Sequence, residues 1–432
     1  MDRSYAALFR LPALKRLLLG MIVARVAGSM VSVAMILFSL THYGSPAITG
    51  AVTFASLIPG VLFSPIAGAL LDRAGRTRLV IFDYFTSGLA LFAIAALDAV
   101  GALPAWALIV IVALSSVTSS LSNSGLRSLF PVLVPRHLWQ RVNVVDSNTF
   151  VVAQLVGPPI AGTLIAIEGG GLGVALIGAL FVAAAVATIG IPDPHIASST
   201  SGRLLLDAWH GITYTARNAT LRGLALAFTT AKLGTGVMAI VMPVVLLERL
   251  AVGPAVVGIA WGVSGAAQFL GALVVGRFEP GPRDRLLIAT SFIAYGLALG
   301  IFLAPPSVPL VLVAMVLTGF LNAPANVTMF TLRQRRTDPA WMGRAFAISM
   351  SFSFAGYPVG SAIAGAFAEQ SVVGPVLFGM ATCMVAGLMA WWLIPAHGPE
   401  FGAAPASPGI GTLGESTSGA RSHSSQETAD SP

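Results

Sequence analysis

Gly68-Ala69-Leu70-Leu71-Asp72-Arg73-Ala74-Gly75-Arg76-Thr77-Arg78 is a short charged stretch between two long apolar runs, roughly 47–71 and 79–98. About 18 mostly apolar residues suffice to cross a bilayer, and each run reaches that length. Hydrocarbon offers no water to unpaired backbone groups, so both runs must be helices and the charged stretch is the turn between them. Gly68 and Gly75 allow close helix approach and a sharp change of direction. Asp72, Arg73, Arg76 and Arg78 place charge where helix ends meet lipid headgroups.

The remainder of the chain repeats this pattern. Its 432 residues are 56% hydrophobic and 9% charged, with a mean hydropathy of +0.85, whereas a soluble domain carries about 25% charged residues. Apolar runs fall near 15–41, 47–71, 79–98, 104–126, 142–167, 172–191, 221–247, 254–277, 285–304, 308–330, 344–368 and 373–395. They predict an all-α polytopic membrane protein with twelve transmembrane helices. The net charge of +7 is scattered through short loops, not gathered on one surface, so no nucleic-acid partner is expected. It reports topology instead, because cytoplasmic loops retain Lys and Arg. Arg3, Arg10, Lys15 and Arg16 precede the first run, and Arg73, Arg76, Arg78, Arg127, Arg136, Arg141, Arg203, Arg217 and Arg222 occupy alternate loops. The second half continues with Arg277, Arg283, Arg285, Arg333, Arg335, Arg336 and Arg344, and the opposite loops hold only Arg249. Both termini are therefore expected on the cytoplasmic side of the cell membrane. The first run is too long for a signal-peptide core. Cys383 is the single cysteine, which rules out an intramolecular disulfide and a thiolate metal cluster.

A shift of 203 positions relates the two halves. It places Gly50 on Gly253, Gly68-Ala69-Leu70 on Gly271-Ala272-Leu273, Asn123 on Asn326, Arg141 on Arg344 and Gly157-Pro158-Pro159-Ile160-Ala161-Gly162 on Gly360-Ser361-Ala362-Ile363-Ala364-Gly365. The hinge spacing G-x-x-x-D-R-x-G-R-x-R, set between the second and third runs, resembles the loop between helices 2 and 3 of the major facilitator superfamily of transporters. That resemblance implies two six-helix bundles related by an axis along the membrane normal, with substrate bound between them near the midplane. The expected organisation is a bundle over 1–191, a cytoplasmic linker over 192–220, a second bundle over 221–395 and a disordered cytoplasmic tail over 396–432. In the linker, Leu204, Leu205, Ala208, Trp209 and Ile212 have the spacing of an amphipathic interfacial helix. The tail is too poor in large apolar residues to pack a core.

Arg25 and Lys232 are the basic residues inside spans. Arg25 lies about 15 Å from the cytoplasmic end of helix 1 at 1.5 Å per residue, and the 203-residue shift maps it to Phe228, one turn from Lys232. A charge at that depth costs several kcal/mol unless it faces water or a partner. Either both cations line a central cavity, or they snorkel or form static pairs. Asp83 and Asp146 are the candidates for proton coupling, which needs a buried carboxylate with access to each side; each could instead neutralise a hinge arginine. Asn123, Gln154, Gln268, Asn322 and Asn326 are further cavity candidates, with ordinary interhelical hydrogen bonding as the other reading.

By the same resemblance, Asp72 and Arg73 latch the cytoplasmic side closed, with Asp72 at the start of helix 11 near Thr337-Asp338-Pro339. Helix 4 has no acid to receive Arg73, leaving Asp146 or Asp338 for that role. Gly157, Pro158, Pro159 and Gly162 resemble the kinked helix-5 signature of the superfamily's antiporters. With Pro131-Val132-Leu133-Val134-Pro135 before Arg141-Val142-Asn143, the chain looks like the macrolide-efflux and enterobactin-exporter branch. That branch carries an acid after a glycine in helix 1, where this chain has Gly28-Ser29.

The expected function is secondary active export of an amphiphilic small molecule, drug-like, siderophore-like or a secondary metabolite, by proton antiport and alternating access. Import or facilitated passage of an organic anion is the alternative, and a non-transporting membrane receptor or scaffold a lesser one. Partners are then a small-molecule substrate, protons and membrane lipid. No nucleophile–base set, metal-ligand cluster or nucleotide loop is legible, so neither an enzyme nor a cofactor is expected.

Overall fold

A computed structural model describes residues 8–192, 204–277, 281, 283–338 and 341–398. The described regular elements are all helical. The first half holds α1 (Pro12–Tyr43), α2 (Pro46–Ala55), α3 (Ile58–Ala74), α4 (Arg76–Ala99), α5 (Ala105–Leu133), α6 (Trp139–Glu168) and α7 (Gly170–Thr188). A linker helix α8 (Leu204–Arg217) leads into α9 (Ala219–Val244), α10 (Pro254–Val275), α11 (Asp284–Leu299), α12 (Val308–Arg335), α13 (Met342–Ala368) and α14 (Val373–Leu393). The chain is thus an all-α, multi-pass membrane protein. The tail expected over 396–432 falls almost wholly on residues outside those described, as does residue 339 of the expected helix-11 start.

Local chemistry sets the boundaries. Gly44 closes α1 at φ 61°, and the Ser45 side chain then caps α2 by accepting from Ile48 N–H at 3.2 Å. Asn218 caps α9 in the same way through Leu221 N–H. At the charged hinge, Gly75 at φ 94° is the one non-helical residue between α3 and α4, a conformation that favours glycine. Helix α13 starts at Met342, a few residues beyond the expected Asp338-Pro339, after a turn in which Trp341 N–H donates to the Asp338 carbonyl.

Eleven helical segments are long and apolar enough to cross a membrane among the described residues. The remaining expected span is α13, which is long enough but diluted by Ser349, Ser351, Ser353, Tyr357 and Ser361. The second span differs from its expectation by breaking at Ser56-Leu57 into α2 and α3. Pro59 has no N–H to give the Ala55 carbonyl, and its ring crowds that carbonyl, so the helix restarts there.

The halves repeat each other's packing. Helix α1 lies on α6 and α7, and α4 on α5 and α7; correspondingly α9 lies on α13 and α14, and α11 on α12 and α14. Across the halves, α2 meets α13 and α6 meets α10. The 203-residue shift holds for Gly157, which meets Ser29 and Met30, against Gly360, which meets Leu233. It fails for α2: Gly162 meets Pro254 and Gly258, while Gly365 meets Pro46 and Gly50. Gly50 therefore corresponds to Gly258, not to Gly253. The break in α2 accommodates this extra turn.

One core joins both halves at the end of Pro46 and Pro254, with Ala27, Met30 and Val33 alongside Val237, Met238 and Ile240. Toward the other end, the described buried residues divide. Leu17, Met21, Ala24 and Leu126 form one cluster in the first half, and Leu224, Ala227, Ala231 and Met329 another in the second.

Candidate substrate pathway between the halves

The halves close on each other at the Pro46 and Pro254 end through glycine. A Cβ on Gly162 would stand 2.7 Å from the Pro254 carbonyl oxygen and 2.8 Å from Gly258 Cα. A Cβ on Gly50 would stand 2.7 Å from the Ser361 carbonyl oxygen. No real side chain fits against backbone at that distance, so these backbones meet only because the residues are glycine. Ser45 on the first half also donates to the Glu369 carboxylate on the second. Asp98 accepts from His42 at 2.9 Å.

Both intramembrane cations lie where the common core divides. Arg25 follows Ala24 of the first-half cluster and precedes Ala27 of the shared one. Lys232 follows Ala231 of the second-half cluster and precedes Val237 of the shared one.

Their surroundings differ. Arg25 Nη2 contacts Asp146 Oδ1 at 2.5 Å, and its Nη1 donates to the Asp146 carbonyl at 2.7 Å and to the Thr149 hydroxyl. The guanidinium lies 3.8 Å over the Phe150 ring. The structure thus brings together two residues proposed for separate roles, Arg25 for substrate and Asp146 for protons. Thr149 and Phe150 were absent from the sequence reading. They sit three and four residues beyond Asp146, hence on its helix face, which is the signal that could have found them. Lys232 is buried, with Nζ 5.2 Å from the Phe354 ring centroid and the Cys383 thiol nearby. Among the described residues no carboxylate lies within 4 Å of it.

Asp83 is buried inside the first half, where Ser87 donates at 3.3 Å and the Thr118 and Ser122 hydroxyls also face its carboxyl. Its helix packs on α5 and α7, away from the contacts between halves. The helix-5 signature divides its work. Gly157 admits α1 of the same half, while Pro159 and Gly162 receive α10 of the other, and α6 runs unbroken through Pro158 and Pro159. Gln154 lies on the α6–α10 contact, its carbonyl 3.4 Å from where a Gly265 Cβ would be, with Gln268 one turn along α10. Asn322 accepts at its carbonyl from the Asn326 side chain at 3.0 Å on α12, a contact within one helix. The hinge backbone at Arg76 and the Leu71 side chain pack on Gly125 of α5, and Arg78 is exposed. The side chains of Asp72, Arg73 and Asn123, and the surroundings of Gly68, lie outside those described.

Comparison with known proteins places this architecture. The family model described as "transmembrane secretion effector" matches residues 4–406. The chain belongs to that family of the major facilitator superfamily. Among relatives of this family member, the MFS-type transporter y4rN of Sinorhizobium fredii is 33% identical over 92% of this chain and 98% of its own length. Macrolide efflux protein A of Streptococcus pyogenes is 21% identical over 81% of this chain and 88% of its own. The crystal structure of the nucleoside transporter NupG superimposes with a TM-score of 0.67 at 13% identity, covering 89% of this chain and 97% of that one. It shows a shared fold.

Proposed function

We propose that this major facilitator protein exports an amphiphilic small molecule across the cytoplasmic membrane in exchange for protons, with both termini cytoplasmic. The observation that carries the reading is the division of the core: the halves close through glycine at one end and, among the described residues, hold separate cores toward the other. Such a joint suits rocking about a mid-depth site, because interfaces of this kind have discrete packed states. The arginine-rich ends then face the cytoplasm, and the state described is closed to the outside. An efflux relative supports the outward direction.

Asp146 is the better placed of the two proton-coupling candidates, because it lies where the cores divide and is held by Arg25. Protonation of its carboxylate releases the guanidinium, and deprotonation recaptures it, which ties the charge state to the position of α6 against α1. Asp83 acts, if at all, from within one half. Asp72 and Arg73 serve as a cytoplasmic latch by the family resemblance.

Proteoliposomes with an imposed proton gradient test this reading. Amphiphilic cations, zwitterions and anions are added while lumenal pH is recorded. Compound-dependent proton flux that Asp146→Asn abolishes is the expected result; flux unchanged in that variant removes Asp146 from the mechanism. Uptake of a labelled anion without proton flux would select the facilitator reading, which Lys232, without a carboxylate partner among the described residues, favours.

A further inference from the structure

We infer that Lys232 and Phe354 form a half-site for an organic anion, a carboxylate or sulfonate carried on an aromatic or otherwise apolar body. The argument begins with an asymmetry between the halves. Each half sets a cation on an aromatic face where the core divides, Arg25 on Phe150 and Lys232 on Phe354. In the first half Asp146 completes the arrangement with a carboxylate. The 203-residue shift that relates α1 to α9 and α6 to α13 puts Ser349 in the place of Asp146. Ser349 is buried, and its hydroxyl has no hydrogen-bond partner among the described residues. The second half therefore sets its cation one helical turn, and its ring one residue, from the shifted places of Arg25 and Phe150, and omits the acid.

Lys232 is 8% exposed, and its Nζ makes neither a hydrogen bond nor an ion pair among the described residues. An uncompensated ammonium at that depth is costly, and a ring face recovers only part of the cost. The polar side chain found near it is the thiol of Cys383 on α14, which is not ordinarily an anion at neutral pH. Phe354 is 40% exposed, so the ring under the ammonium has surface left for a ligand. An acidic head would meet Lys232 while its apolar body lies on that ring, and the bound anion would occupy the role that Asp146 fills in the other half.

This rests on the transport reading for its purpose, but binding to the purified full-length protein tests it apart from transport. Calorimetry in detergent at pH 7 uses 2-naphthoate as the probe, with 2-naphthamide as its uncharged counterpart and 2-naphthylmethylammonium as its opposite. Saturable binding of the naphthoate alone is expected, weakened at least tenfold in Lys232→Met and retained in Lys232→Arg. Absence of saturable naphthoate binding, equal binding of the amide, or unchanged binding in Lys232→Met would each overturn the assignment. The three-ligand comparison on the unaltered protein decides the matter even if Lys232→Met fails to fold.

Discussion

Arg25 and Lys232 carry the same charge at similar depths and differ in what faces them. Arg25 is held by a carboxylate, a carbonyl, a hydroxyl and a ring. Removing one partner of such a buried pair leaves the other charge uncompensated, a cost of roughly 3–5 kcal/mol, whereas removing both together costs far less. Asp146→Asn is expected to destabilise the purified protein by about 3 kcal/mol. The double variant Arg25→Met/Asp146→Leu should recover most of that loss, as read by denaturant unfolding in detergent. Lys232→Met should act in the opposite direction and stabilise the protein by about 1 kcal/mol, because it removes a charge with no counter-ion among the described residues. Destabilisation by more than that would show that Lys232 is compensated. Both cations were legible in the sequence as charges inside apolar runs. The ion pair was not, since it joins residues 121 positions apart and nothing in either helix alone specifies the other.

At the scale of the helices, two glycines five residues apart in α6 do different work. Gly157 lets α1 approach within its own half, and Gly162 lets α10 approach from the other. Substitution by valine should separate the two roles. Gly157→Val is expected to lower expression and stability, because its side chain enters the first-half packing around Ser29. Gly162→Val should leave the fold intact and prevent closure against Pro254, lowering transport at least tenfold. Equal loss of stability in both variants would contradict this division. The small-residue signature of α6 was legible in the sequence, as was the repeat between halves, but not the neighbour of each glycine. The repeat also misled at α2, where a constant shift paired Gly50 with Gly253. Proline at position 59 breaks that span, and the extra turn moves the outer part of the helix into register with Gly258. Position 262, the counterpart of Pro59 under the shift, is glycine, and α10 continues through it without interruption.

For the whole molecule, the apolar runs expressed the all-helical, multi-pass architecture almost completely, because the bilayer permits few alternatives to packed helices. What they left out is the state: which end is closed depends on contacts between segments far apart in the chain. The account's central claim is that the closure at Pro46 and Pro254 is one of two states, and electron-spin distance measurement tests it most directly. Thr41→Cys and Gln370→Cys, both at exposed positions near the Ser45–Glu369 contact, would be spin-labelled in a Cys383→Ala background and reconstituted in lipid nanodiscs. The account predicts two distance populations, a shorter one for the closed end and a longer one for the separated halves, whose ratio changes with pH and differs in Asp146→Asn. A single short distance, unaltered across pH and in that variant, would contradict it.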